Sequence, residues 1–171
     1  MRCEIKRWRV LAANSPDYGR LRPCNSDARD WRRLAAFYED VFGCVRVLPE
    51  RDLAGESVER GSGIPGARIR GVHLRLPGFG DEGPTLEVFQ YAEIVEASAP
   101  AANRAGFGHI AFAVDDVTAA REAVLAAGGA AVGTVEVVVV PGAGRITWTY
   151  ARDPEGNIIE LQHREPEPAA T

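Results

Sequence analysis

Lysine is almost missing from this chain of 171 residues: Lys6 is the only one, and arginine carries the rest of the positive charge. That scarcity argues against Schiff-base chemistry through a buried lysine. Cysteine is scarce as well. Cys3, Cys24 and Cys44 are odd in number and none has a CxxC neighbour, which argues against a disulfide framework and against a thiolate zinc site. No apolar run reaches the ~20 residues of a membrane-spanning helix. The charges between Met1 and Ala13 are not followed by the apolar stretch of a secretory leader. Positive charge is not in excess either. The net charge is -4, and no basic tract is interleaved with aromatics. Nucleic acid and anionic membrane are therefore not expected as partners. These absences leave the cytoplasm as the expected compartment.

What is present is a repeated pattern. A hydrophobic content of 46% suffices for a core in one domain or two small fused modules. Asp30 stands where a helix N-cap belongs, Leu34, Phe37, Tyr38, Val41 and Phe42 follow at helical spacing, and Gly43 ends the helix. Strands are expected around residues 45–47, 71–76 and 85–91, with turns rich in glycine and proline between them. The order then recurs. A strand is expected over 107–114, a helix from the Asp116 cap to Gly128-Gly129, and strands over 135–140, 146–151 and 157–162. Asp30 precedes Gly43 by 13 residues, and Asp116 precedes Gly129 by 13. Each half closes on one acid between apolar residues, Leu86-Glu87-Val88 and Ile159-Glu160-Leu161. Such recurrence points to a duplicated βαβββ unit. Residues 1–22 read as an irregular N-terminal extension, 23–95 as the first module, 104–163 as the second and 164–171 as a tail. The glycine-rich stretches at 61–66 and 141–144 lack the lysine and Ser/Thr of a P-loop and read as turns. His163, just past the last strand, is expected to be exposed.

Three stretches carry a family resemblance. Ala36 to Gly43 (AFYEDVFG), Gly108 to Asp116 (GHIAFAVDD) and Asp153 to Leu161 (DPEGNIIEL) resemble the helix end, the second opening strand and the closing strand of the vicinal-oxygen-chelate superfamily. That group includes glyoxalase I, bleomycin-resistance proteins and extradiol dioxygenases. The resemblance spans about residues 23 to 163. It implies an α+β fold in which two βαβββ modules form a curved, half-open mixed sheet around a cavity. It also implies a divalent metal (Zn, Ni, Mn or Fe), a small-molecule substrate or ligand, and a homodimer. Residue by residue, the implied metal positions are Pro23, Glu87, His109 and Glu160. Carboxylates and a neutral imidazole suit such an ion. A lone glutamate on a strand is usually solvated, and a lone histidine is usually a hydrogen-bonded structural group. What favours ligands here is three such groups at matching places of a duplicated unit.

The first position stands apart. His109 lies seven residues before Asp116, and seven before Asp30 is Pro23, so the repeat itself puts proline where a donor should be. Three readings stay open: water fills that place, Asn25 or His73 substitutes, or the metal is lost. The resemblance implies that extradiol dioxygenase chemistry, which needs a histidine at Pro23, is disfavoured. Lyase or isomerase chemistry by proton transfer beside a metal-polarised carbonyl is favoured, with Glu160 as base in preference to Glu87. The rival is a metal-free sequestration protein of the bleomycin-resistance type. Strand parity adds a lining. If Glu87 faces the cavity, so do Thr85, Phe89 and Tyr91. His73 and Arg75 follow from the neighbouring strand, with Trp148, or its neighbours Thr147 and Thr149, from the other half. Such a pocket suits a small carboxylated or aromatic substrate.

Overall fold

Asp30 opens the first helix as its position implies. Its extended backbone lets the carboxylate accept from the Arg32 and Arg33 amides at 3.1 and 3.2 Å. The helix α1, Trp31–Phe42, ends on Gly43 in the left-handed conformation, φ 67°. These details come from a computed structural model that describes residues 24–96 and 98–167. Expectations that fall on residues 1–23, the extension and Pro23 included, lie outside the described residues.

The element order is β1 (Cys24–Asp27), α1, β2 (Val45–Ala54), α2 (Glu56–Ser62), β3 (Arg68–Arg75) and β4 (Thr85–Tyr91). The second half continues with β5 (Ile110–Ala113), α3 (Val117–Ala126), β6 (Ala130–Ala131), β7 (Glu136–Val140), β8 (Gly144–Arg152) and β9 (Ile158–Glu165). The duplication is realised as two mixed sheets. The first runs β1-β4-β3-β2 and the second β5-β9-β8, with β6 and β7 both pairing with β8. In each, the opening strand lies parallel to the glutamate-bearing strand, β1 to β4 and β5 to β9, and the remaining pairs are antiparallel.

The short strand β6 adds to the expected set, β3 and β9 run past their expected bounds, and larger differences fall at β2, at α2 and at β5. β2 extends to Ala54, through a register shift between Val47 and Arg51. The short helix α2 occupies part of what read as a loop, and Gly63 closes it at φ 72°. β5 starts at Ile110, so His109 stands just before its strand. The helix α3 is capped by Asp116, which accepts from Thr118 and Ala119, and its C-cap is Ala127, one residue ahead of left-handed Gly128.

One core joins the halves. Leu34, Val72, Leu74, Val88, Val124, Ala151, Ile159 and Leu161 are fully buried in it. Burying an aliphatic side chain of this size contributes roughly 1.5–3 kcal/mol. Phe42 of α1 stacks on Phe112 of β5 with centroids 3.9 Å apart, so the first module's helix packs directly on the second module's opening strand. Each sheet thus turns one face to the shared core and the alternate side chains away from it. Among the described residues no helix is long and apolar enough to cross a membrane.

Candidate metal and substrate site

The alternation of β4 decides where Glu87 goes. Leu86 and Val88 are core residues, so Thr85, Glu87, Phe89 and Tyr91 share the opposite face. On β3, Val72 and Leu74 are buried and His73 and Arg75 take the open side. His73 and Glu87 are direct cross-strand partners. The His73 Nε2 lies 3.4 Å from Glu87 Oε1, with 19% and 26% of the side chains exposed. The Nδ1 of the same ring is 3.2 Å from Thr85 Oγ1, and Phe89 meets the ring edge-on at 5.6 Å. Burial pushes the His73 imidazole below its ordinary value; Glu87 pulls the other way and Arg51 adds to the lowering. Tyr91 is pushed up by burial and by the charges of Asp27 and Glu87. Arg75 is tied to Asp81 in the following turn.

The second module has a matching pair. Ile159 and Leu161 face the core, which leaves Glu160 on the open side. His109 Nε2 lies 2.9 Å from Glu160 Oε2, with 33% and 18% of the side chains exposed. Tyr150 is the cross-strand partner of Glu160, and its ring lies 5.0 Å from the His109 ring and 5.1 Å from Trp148. Trp148 is therefore on the Glu160 face, whereas Thr149 is buried on the core side. Tyr150 is a neighbour of the site that parity alone did not single out, and it becomes visible once β8 is set in register with β9. Asn25, one of the expected substitutes for Pro23, stands beside Glu87 where β1 pairs with β4.

The expected residues are thus gathered by module. His73, Arg75, Phe89 and Tyr91 are brought to Glu87, and Trp148 to His109 and Glu160. Glu87 is not brought to the second pair: no group of three or more His, Cys, Asp or Glu able to hold an ion occurs among the described residues of one chain. A cavity of about 320 Å³ between β1 and β5 is lined by Asn25, Tyr38, Phe107, His109 and Asn157 among others, but by neither glutamate. His163 is half-buried, contrary to expectation, because its Nδ1 bonds the Val114 carbonyl at 2.9 Å.

The closing motif proves structural at its start. Asp153 is 2% exposed and accepts from the Tyr38 hydroxyl, the Asn157 side chain and the amides of Glu155 and Asn157. Burial still pushes its carboxyl above the ordinary value.

Residues 27–161 match the model of the Glyoxalase/Bleomycin resistance protein/Dioxygenase superfamily. The chain belongs to this superfamily. Its fold is that of a glyoxalase family protein from Bacillus cereus, at 18% identity and a TM-score of 0.73 over 90% of this chain and 99% of that one. A glyoxalase/bleomycin resistance protein/dioxygenase family enzyme from Burkholderia phytofirmans is similar at 18% identity and TM-score 0.56, covering 85% of this chain and 99% of that one. A glyoxalase I mutant from Zea mays is 24% identical, with TM-score 0.56, over 84% of this chain and 44% of the maize chain. No curated protein matches the sequence. The superfamily includes metal-dependent enzymes and proteins that bind small molecules.

Proposed function

We propose that this member is a metal-dependent lyase or isomerase that moves a proton next to a carbonyl of a small substrate. In this reading Glu87, His109 and Glu160 are donors to a divalent metal, and the working form is a homodimer. The observation that carries it is the approach of His109 Nε2 to Glu160 Oε2 at 2.9 Å on a solvent-accessible sheet face. Adjacent donors each about 2.0–2.2 Å from one ion lie ~2.9–3.4 Å apart for right-angle to tetrahedral geometry. The residues present therefore fit such an ion by donor type and by pair spacing.

One chain carries its donors on two sheets. A twofold pairing that sets the Glu87 face of one copy against the His109–Glu160 face of its partner would complete the set. The same pairing would cover apolar surface. Val137, Val138, Val139 and Val140 are all exposed along β7, and Phe107 is 83% exposed beside His109.

A divalent ion held by Glu87, His109 and Glu160 would supply Lewis-acid polarisation of a substrate carbonyl. Glu160 takes the proton from the adjacent carbon on its carboxylate and returns it to the neighbouring position. Glu87 holds, and Tyr150 and Trp148 wall the substrate and exclude water. Elemental analysis of purified protein, with solvent-deuterium incorporation into a panel of small hydroxy- and dicarbonyl compounds, tests the reading. Bound metal, deuterium uptake, and loss of both in Glu160→Ala support it. Metal-free protein that takes up no deuterium sinks it.

A metal-free sequestration protein is the second reading. It is favoured by the Trp148–Tyr150 aromatic pair and by the sequence placing Pro23 at a donor position. Chelator-insensitive binding of an aromatic ligand would decide for it.

A further inference from the structure

The two modules build their His–Glu pairs from opposite directions. Glu160 sits on β9, between β5 and β8; Glu87 sits on β4, between β1 and β3. In the second module the imidazole comes from the β5 side, from the residue just before that strand, and the cross-strand partner on β8 is Tyr150. In the first module the residue before β1 is Pro23, which has no donor side chain. There the cross-strand partner on β3 is His73, at 3.4 Å from Glu87. Each glutamate therefore keeps one imidazole beside it, delivered by a different neighbour.

We propose that His73 is a metal ligand of this protein and supplies, through Nε2, the donor that the opening strand does not. The complete set is then two imidazoles and two carboxylates: His73 and Glu87 from one copy, His109 and Glu160 from the facing copy of the proposed dimer. The inference rests on the metal-dependent reading above. Three features support it. The Nε2 to Oε1 separation matches two adjacent donors on one ion (~3.4 Å for tetrahedral ligands). Thr85 Oγ1 lies at Nδ1, where a hydrogen bond sets the ring so that Nε2 faces Glu87; ligating histidines are commonly oriented in this way through their other nitrogen. Phe89 packs on the ring and holds its plane.

The test is copper(II) and cobalt(II) titration of the full-length protein and of His73→Ala, His73→Gln and His109→Ala. It is read by bound metal, by copper EPR nitrogen hyperfine structure and by cobalt absorption. Wild type should show two imidazole nitrogens per ion. His73→Ala and His109→Ala should each show one, with affinity lower on the order of 10-fold or more, since even second-layer changes cost that much. Thermal melting of the metal-free forms checks folding, and His73→Gln offers a variant of similar bulk. If His73→Ala fails to fold, the wild-type nitrogen count alone decides. One nitrogen in wild type, or an unchanged count and affinity in the His73 variants, overturns the ligand role and leaves a three-donor site. Wild type that binds no ion overturns both this inference and the metal-dependent reading.

Discussion

The Tyr38 hydroxyl, on the helix of the first module, donates to the buried carboxylate of Asp153, in the turn before the last strand of the second, at 2.9 Å. Hydrogen bonds to a charged group contribute about 1.5–3 kcal/mol, and an acceptor left short inside the core costs a similar amount. Tyr38→Phe keeps the ring that packs against Phe37, Phe42 and Phe112 and removes only the hydroxyl. It should lower unfolding stability by about 2 kcal/mol in urea titration, with an unchanged m-value.

The same pair gives stability a pH dependence of known sign. The Asp153 carboxyl is raised above its ordinary 3.8, so from that value up to the folded one the native state binds more protons than the unfolded chain. Stability contributed by this group is complete below 3.8 and declines as pH rises through the window. Tyr38 is raised well above 10.0, mainly by burial, so its share is complete below 10.0 and falls as pH climbs beyond it. Subtracting the Asp153→Asn profile from that of wild type should isolate the acid slope, and Tyr38→Phe should remove the alkaline one. A flat difference curve would refute the assignment.

Gly71 of β3 stands directly opposite Phe89 of β4. A Cβ there would meet the Val88 carbonyl at 2.1 Å and the Phe89 ring at 2.5 Å. Gly71→Ala should cost about 3 kcal/mol by overpacking. On the proposed metal-dependent reading, displacing β4 should also disturb Glu87, visible as weakened metal affinity beyond the loss of stability.

The two helix caps should behave alike. Asp30 and Asp116 each accept two amides at 2.8–3.2 Å. Asp30→Ala and Asp116→Ala should each destabilise by about 1 kcal/mol in chemical denaturation. A difference between the two of more than about 1 kcal/mol would show that the duplication is not mirrored in energetics.

On the proposed metal-dependent reading, removing the ion should lower the melting temperature. A ligand at 100 times its dissociation constant stabilises by about 2.7 kcal/mol. Calorimetry before and after chelation, then after adding zinc back, should show a reversible shift, and Glu160→Ala should show none.

Legibility followed the range of the interaction. Asp30 and Gly43 mark the ends of α1 because capping is decided within four residues, and Glu87 could be assigned its face because strands alternate. The extension of β2 was hidden by Pro49-Glu50-Arg51-Asp52, a run with no apolar period, whose pairing is set by β3 from 18 or more positions away. The helix α2 was masked by Gly61, although Glu56 and Arg60 form a local ion pair across one turn. Tyr38 and Asp153 lie 115 residues apart, and nothing local to either one announces the other. His73 was assigned its face by parity, yet its contact with Glu87 depends on a register that alternation leaves free.

The glutamate strand in each sheet is interior, flanked on both sides. On the proposed metal-dependent reading, either flank can therefore present a donor to the glutamate while the main chain stays in place: His73 does so from β3, and His109 from the segment leading into β5.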